Sequence, residues 1–214
     1  MDTRLLLSLL ISYLLGSIPF TQIVARLVKG IDLRPVGSHN VGGRNLTRQL
    51  GLIWGILGGA GDVAKGAAAI LIAAALGVQS PWIYLNGPAV VAGHNWPAWL
   101  KFQGGKGLLT IVGAIAAVAL PEVAIAFVIG ATILVLTRNV LYAASAGFIL
   151  MLGLSIAFQR PAEVSWYIVA TWSMVILAGL PELIKKLTTP GAIADYFREP
   201  DRVYREEAQK RRTR

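Results

Sequence analysis

The sequence predicts an all-α integral membrane protein with seven transmembrane helices and short polar loops on the inner face of the membrane. Of its 214 residues, 55% are hydrophobic and only 14% are charged, whereas soluble domains average about 25% charged residues. Several segments reach the roughly 20 apolar residues that a membrane span needs. The basic residues lie mostly between these segments. The net charge of +9 therefore indicates lipid head groups or phosphorylated substrates rather than nucleic acid.

Five apolar segments match single spans in length and composition. In chain order they are 5–24, 52–76, 81–100, 140–158 and 164–180. The stretch 108–136 is long for one span, and Pro121-Glu122 interrupts it. We interpret it as a hairpin of two short helices, because seven spans with the N-terminus outside place 17 of the 20 Lys and Arg residues inside, as the positive-inside rule requires. A single span would put the basic C-terminal tail outside.

The predicted domain division follows from these spans. Residues 1–187 form one transmembrane domain, and residues 188–214 form a basic tail on the inner face. The start of the chain lacks a strongly positive region and a small-residue cleavage site before Arg26, so we expect the first helix to be retained. The chain contains no cysteine, which excludes disulfides, thiolate–zinc sites and a cysteine nucleophile.

The first polar segment is rich in glycine, asparagine and serine. It reads Gly37-Ser38-His39-Asn40-Val41-Gly42-Gly43-Arg44-Asn45, and Arg48 follows. Glycines let consecutive backbone N–H groups point at one anion, and a guanidinium group offers a planar fork that suits phosphate. The pattern indicates a phosphate-binding loop. A solvated turn capped by asparagine would have the same composition, so the segment alone leaves both interpretations open.

The second polar segment, Gly104-Gly105-Lys106-Gly107, stands directly before an apolar stretch that begins at Leu108. Free N–H groups at a helix N-terminus, together with a lysine, favour binding of an anion. The segment is not a P-loop, because the Gly-x4-Gly-Lys-Ser/Thr spacing is missing. The alternative is a flexible turn at the membrane interface.

The third candidate consists of polar residues inside predicted spans. Asp62 and Lys65 are three residues apart and share one helix face, and His94 lies near the inner end of the next span. Charges within a span are expensive and normally face a polar interior. We favour a functional Lys65, oriented by Asp62 toward a substrate phosphate. The alternatives are a self-neutralising structural pair and a histidine that only packs.

Taken together, three segments resemble one family. They read GSHNVGGRNLTRQLG, GDVAKG and GHNWPAWLKFQGGKG, in this order. From about Gly16 to Leu187 the chain resembles the bacterial glycerol-3-phosphate acyltransferases that use acyl phosphate, the PlsY family, as a divergent member. The resemblance implies seven spans in the bacterial cytoplasmic (inner) membrane, with the N-terminus outside and the C-terminus in the cytoplasm. It also implies acyl transfer from acyl phosphate to glycerol 3-phosphate, which gives lysophosphatidic acid for phospholipid synthesis.

What the resemblance implies about ligands is equally specific. The expected partners are the two substrates and membrane lipids, with no nucleic acid, cofactor or metal, and no protein partner is named. The predicted catalytic residues are Ser38, His39, Arg48, Lys65, His94 and Lys106. The predicted phosphate-binding residues are Gly37, Asn40, Gly42, Asn45, Gly104, Gly105 and Gly107.

The chain departs from the family pattern at several positions. His39 stands where the family usually has glycine, and Leu141 stands where a serine is expected. Leu180 and Leu183 replace the histidine and asparagine that normally flank the position of Glu182. We hypothesise that His39 partly replaces the missing histidine, because an imidazole can orient a hydroxyl or donate to a phosphate at neutral pH.

Two other functions remain open from the sequence. One is an enzyme-like membrane protein that binds lipid precursors without turnover. The other is a small anion transporter, although no repeat of 20–50 residues is evident and the polar loops are predicted on one face only.

Overall fold

The computed structural model describes residues 2–188, apart from the side chains of residues 182, 183 and 185–187. The predicted basic tail beyond residue 188 lies outside the described residues. Nine α-helices make up most of residues 2–188, which contain no β-strand. They are α1 (Thr3–Gly16), α2 (Phe20–Lys29), α3 (Gly43–Leu50), α4 (Leu52–Ala75), α5 (Asn86–Asn95), α6 (Leu108–Ala116), α7 (Leu120–Thr137), α8 (Val140–Ala157) and α9 (Ala162–Leu187). Short 3₁₀ helices occupy Trp82–Leu85 and Ala98–Leu100.

The all-α membrane class is confirmed, and the number of long spans is smaller than predicted. Among the described residues, five segments are long and apolar enough to cross a membrane. They are Thr3–Lys29, Leu52–Ala75, Leu120–Thr137, Val140–Ala157 and Ala162–Pro181. The predicted span 81–100 instead contains the ten-residue helix α5. This helix stops at Asn95 because Pro97 disfavours a helical conformation at Trp96, which adopts φ −127° and ψ 65°.

The stretch 108–136 forms two helices, as the hairpin interpretation required. Helix α6 has nine residues, and α7 begins at Leu120 after a break. Pro121 lies in the first turn of α7, where the fixed φ of proline suits a helix start and its missing N–H costs nothing.

A break between α1 and α2 bends the first predicted span. Pro19 has no N–H to continue the ladder of hydrogen bonds, and α2 restarts at Phe20. The carbonyl oxygen of Ile18 accepts hydrogen bonds from Phe20 N at 3.2 Å and from Lys65 Nζ at 2.8 Å. The break therefore turns a backbone carbonyl toward a charged side chain of α4.

Helices α4 and α6 pack so closely that their backbones touch. A Cβ atom on Gly66 would overlap the carbonyl oxygen of Thr110, and one on Gly113 would overlap that of Val63. Small residues allow such close approach in membranes, where helix association depends on van der Waals packing. Beside this contact lies the main core, in which Val90, Val91, Ile111, Ile115 and Ile168 are fully buried.

An ion pair joins two turns far from the polar loops in sequence. Arg160, between α8 and α9, donates to both carboxylate oxygens of Glu122 at 2.6 and 3.2 Å. Glu122 is fully buried in the first turn of α7. This contact holds the α6–α7 turn against the α8–α9 turn.

The α4–α6 contact gives a direct stability prediction. Gly113→Ala should destabilise the protein by about 1–3 kcal/mol, the usual cost of overpacking, because its Cβ atom meets backbone rather than a movable side chain. Thermal unfolding in one detergent measures the change. Gly153→Ala in α8 is the matched control, since a Cβ atom there meets nothing within 4 Å. Equal melting temperatures for the two variants would contradict the close contact.

Candidate active site

The side chain of Asn45 organises the first polar segment from within. Its amide nitrogen donates to the carbonyl oxygens of Leu33, Val36 and Asn40 at 3.0–3.2 Å. Its amide oxygen accepts from the backbone N–H of Ser38 at 3.3 Å. Asn45 is buried, so the loop folds around this one amide. Sequence reasoning gave Asn45 to substrate phosphate, whereas the structure shows both of its polar atoms engaged with the loop.

Gly37 fits beside this amide only as glycine. Its φ of 59° lies in the left-handed region, which glycine adopts at least cost. A Cβ atom at Gly37 would also overlap Oδ1 of Asn45 and come within 2.7 Å of Gln49 Nε2. Gly37 therefore shapes the loop, which is a role distinct from the predicted contact with phosphate.

The two glycine-rich segments are joined by backbone hydrogen bonds. Val41 N donates to Gly104 O at 3.4 Å. Gly104 N and Gly105 N donate to the carbonyl oxygens of Asn95 and His94, each at 3.1 Å. The chain therefore folds back and pairs the N–H groups of Gly104 and Gly105 with the end of α5, while phosphate binding by these glycines stays a prediction.

The starts of α3 and α6 lie beside the two glycine segments. The first hydrogen bonds within these helices run from Leu46 N to Gly42 O and from Ile111 N to Gly107 O. The preceding N–H groups, 43–45 and 108–110, therefore have no acceptor in their own helix. The two helix starts are adjacent, since a Cβ atom on Gly43 would lie 3.5 Å from Leu109 Cδ1.

Two basic residues belong to this region, one directly before α6 and one on α3. Lys106 directly precedes Gly107, the residue that caps α6 with a φ of 80°. Arg48 lies in the last turn of the eight-residue helix α3, and both side chains are half-buried. Two positive helix ends, with Lys106 directly before one of them, form an arrangement suited to phosphate.

A second polar group lies behind the loops, inside the helical bundle. Lys65 Nζ is 2.9 Å from Asp62 Oδ1, and His94 Nδ1 is 3.4 Å from the same oxygen. The side chains are only 1%, 2% and 7% exposed for Lys65, Asp62 and His94. Lys65 Nζ also lies 5.9 Å from the ring centroid of Phe20. Lys65 and Asp62 therefore neutralise each other. His94 is a third member of the group, which the sequence analysis did not connect with Asp62.

A narrow crevice, too tight to hold a water molecule, brings three of the sequence motifs together. It is lined by Gly16, Ser17, Pro19, Val41, Lys65, His94, Pro97 and Gly104. The break between α1 and α2 forms one wall, and the joined glycine segments form another. Lys65 and His94 therefore share a cleft with the loop that leads to Lys106.

His39 lies apart from the crevice. Its side chain is exposed, and its Nδ1 atom lies 3.0 Å from the carbonyl oxygen of Arg34. Its backbone adopts a φ of 55°, a conformation that suits the glycine usually found there. Ser38, the neighbouring predicted residue, is half-buried. Asn40 and Gly42 stand together, because a Cβ atom on Gly42 would come within 2.9 Å of Asn40 Nδ2.

An outer layer of charges braces the first loop. Arg34 donates to Asp32 at 2.6 Å and to Leu100 O at 3.4 Å, which links the loop to the segment after α5. The side-chain hydrogen bond from Arg34 lowers the pKa of Asp32 to about 2, so this carboxylate stays ionised at physiological pH. Arg44 donates to Arg138 O at 3.3 Å, which places the α7–α8 turn beside the same loop.

Sequence reasoning missed three supports of the site. These are the Asp62–His94 contact, the Lys65–Ile18 hydrogen bond and a hydrogen bond from Asn95 Nδ2 to Met174 O at 2.8 Å. Each joins residues distant in sequence, so local patterns do not reveal them. A histidine and an aspartate inside neighbouring spans were the available signal, since buried polar groups need partners.

Comparison with known proteins identifies the family. The model of the glycerol-3-phosphate acyltransferase family matches residues 6–189. The chain is 36% identical over 180 residues to glycerol-3-phosphate acyltransferase 4 of Dehalococcoides mccartyi, covering 84% of this chain and 96% of that protein. It is 39% identical over 175 residues to the glycerol-3-phosphate acyltransferase of Thermus thermophilus, covering 79% and 83%.

Solved structures agree with the sequence comparison. PlsY, an integral membrane glycerol 3-phosphate acyltransferase crystallised in its glycerol 3-phosphate form, superposes with a TM-score of 0.77 and 34% identity, over 86% of this chain and 92% of that one. Its lysophosphatidic acid form superposes with a TM-score of 0.76 and 32% identity, over the same shares. This chain therefore belongs to the glycerol-3-phosphate acyltransferase family and is an integral membrane protein.

Proposed function

We propose that this chain transfers a fatty acyl group from acyl phosphate to glycerol 3-phosphate and releases lysophosphatidic acid. The observation that carries the proposal is the adjacency of the α3 and α6 N-termini, with Lys106 directly before α6 and Arg48 on α3. Both substrates are phosphate monoanions or dianions, and such a site can hold phosphate groups against their mutual repulsion. Family membership and the glycerol 3-phosphate form of the related structure support the acceptor.

The chemistry asks little of the protein beyond binding and alignment. A hydroxyl oxygen of glycerol 3-phosphate bonds to the carbonyl carbon of the acyl phosphate. The bond from that carbon to the phosphate oxygen breaks, and inorganic phosphate leaves. Because acyl phosphate is a mixed anhydride, no covalent enzyme intermediate is needed, and a substrate phosphate can take the hydroxyl proton. Arg48 and Lys106 neutralise the charge that develops on the leaving group.

The remaining predicted residues take supporting or contacting roles in this proposal. Ser38, Asn40 and Gly42 contact a substrate phosphate from the first polar segment. Gly37 and Asn45 stabilise the conformation of that segment. Gly104 and Gly105 connect the loop to α5, and Gly107 starts α6. Lys65 and His94 form the wall of the crevice. The acyl chain enters between helices from the bilayer.

A non-catalytic binding role is the second candidate. Leu180 is a partly exposed leucine of α9, at the position where the family resemblance calls for histidine. A protein that binds both phosphates through the loops and lacks turnover would fit this change. Purified protein tested with acyl phosphate and labelled glycerol 3-phosphate separates the two, since binding without lysophosphatidic acid supports the second.

We further propose seven spans in the cytoplasmic membrane of a bacterium, with the polar loops in the cytoplasm. Contacts support a common face, because Val41 bonds to Gly104 and Arg44 bonds to Arg138. The Glu122–Arg160 pair joins the turns that alternate with these loops along the chain. Short helices α5 and α6 would then complete the bundle within the protein rather than in lipid.

Phosphate binding by the loops predicts selective losses on substitution. Arg48→Ala and Lys106→Ala should each weaken glycerol 3-phosphate binding by about 1.5–3 kcal/mol, or roughly 10- to 150-fold, the value of a charge-assisted hydrogen bond. Titration calorimetry and the Michaelis constant both measure this. Arg26→Ala is the matched control, because Arg26 is 56% exposed and pairs only at the surface with Asp32. Similar small effects for all three variants would favour a merely solvated loop.

Replacement of His39 tests whether it supplies acid–base help. If it does, His39→Gly lowers the rate by ~10²-fold or more, and adding Leu180→His with Leu183→Asn partly restores it. Its exposure and its contact with Arg34 O lead us to expect a rate near wild type. Relief of the left-handed conformation should raise stability by up to about 1–2 kcal/mol. Turnover and thermal unfolding of the same samples decide between the two outcomes.

Membrane orientation is testable by chemical labelling, since the chain has no cysteine. Single cysteines at positions 39, 106 and 214 should react with an impermeant reagent only in inside-out vesicles or after permeabilisation. A cysteine at position 2 should react in intact cells. Labelling of position 106 from the outer face of sealed cells would refute the proposed topology.

A further inference from the structure

Asp62 makes two contacts that a simple ion pair does not explain. It lies within α4, a helix long and apolar enough to span the membrane. One lysine suffices to neutralise a carboxylate, and Lys65 does so at 2.9 Å. The same oxygen also lies 3.4 Å from Nδ1 of His94 on α5. A histidine brought to an already neutralised carboxylate suggests that the histidine itself is being held.

The carboxylate of Asp62 lies on the Nδ1 side of the imidazole ring, at 3.4 Å. A carboxylate beside Nδ1 favours the tautomer that carries its proton there. The Nε2 atom then lies on the opposite side of the ring, against the backbone of Gly105. A Cβ atom on Gly105 would overlap Nε2 and come within 3.0 Å of Cδ2. The ring thus fills the space between α4 and the second glycine segment.

His94 also holds Gly105 through its own backbone. Gly105 N donates to His94 O at 3.1 Å, so ring and carbonyl of one residue contact the same glycine. Lys106 and Gly107 follow immediately, and α6 begins at Leu108. A shift of the ring would therefore move the cation and the helix start that the proposed phosphate site uses.

We propose that Asp62 is a positioning residue that acts through His94 to place Lys106 and the start of α6. This inference rests on the acyltransferase function proposed above. Asp62 contacts Lys65 and His94 and acts through the second of these. Through His94 it connects α4 to the segment of Lys106, whose ammonium group binds phosphate in the proposed site. Misplacement of such a group by about 1 Å can cost on the order of 100-fold in rate.

A double-mutant cycle between Asp62 and Lys106 tests the proposal. Asp62→Asn removes the charge, and Asp62→Glu keeps it while moving the carboxylate by one methylene. Asp62→Glu also keeps a carboxylate to neutralise Lys65, so the test remains possible if Asp62→Asn does not fold. Each change should lower kcat/KM by on the order of 10- to 100-fold. In protein that already carries Lys106→Ala, the same changes should cost less than about 3-fold, because effects that share one path are not additive.

Glu122→Gln is the matched control for a purely structural carboxylate. Glu122 is buried and paired with a cation, as Asp62 is, but its partner is Arg160 at the other set of turns. Its effect on kcat/KM should be the same in wild-type protein and in Lys106→Ala. If Asp62 behaves like this control, or if Asp62→Glu has wild-type kcat/KM, the positioning role is overturned.

The proposed function and the positioning role give separate outcomes. Turnover by the wild-type protein alone tests the function. If wild type turns over and the cycle is additive, only the positioning role fails. If wild type has no turnover, the same cycle is read from the dissociation constant for glycerol 3-phosphate, where coupling between positions 62 and 106 supports positioning and additivity refutes it.

Discussion

A carboxylate buried in the membrane-spanning part of α4 is the constraint around which the polar half of this protein is arranged. Asp62 needs compensation because lipid and apolar side chains do not solvate a charge. Lys65 supplies it from 2.9 Å, and His94 lies 3.4 Å from the same oxygen. Through Lys65 the carboxylate is connected to the carbonyl at the α1–α2 break. Through His94 it is connected to the glycine segment before α6.

Membrane class and family were accessible from sequence for different physical reasons. Lipid requires long apolar helices with satisfied backbones, so composition and segment length revealed the class. The break after Ala116 was predictable because Pro121 and Glu122 favour the first turn of a new helix. The basic loops predict an orientation through their charge. The order of three short motifs indicated the family, which the comparisons then established.

Contacts between distant segments were beyond the reach of sequence patterns. The N–H groups of Gly104 and Gly105 looked available for phosphate, and they bond to the end of α5 instead. The amide of Asn45 looked like a ligand, and the loop folds around it. In both cases, hydrogen bonds to other segments of the chain engage polar groups that the sequence alone had assigned to a phosphate.

The hydrogen bond between Val41 and Gly104 has a consequence for exchanging parts among related proteins. It makes the two glycine segments one composite surface, although more than sixty residues separate them in the chain. A chimera that imports only one of the two segments would misalign the backbone donor of one segment and the backbone acceptor of the other. Grafts should therefore move both segments together with the α4 turn that carries Asp62.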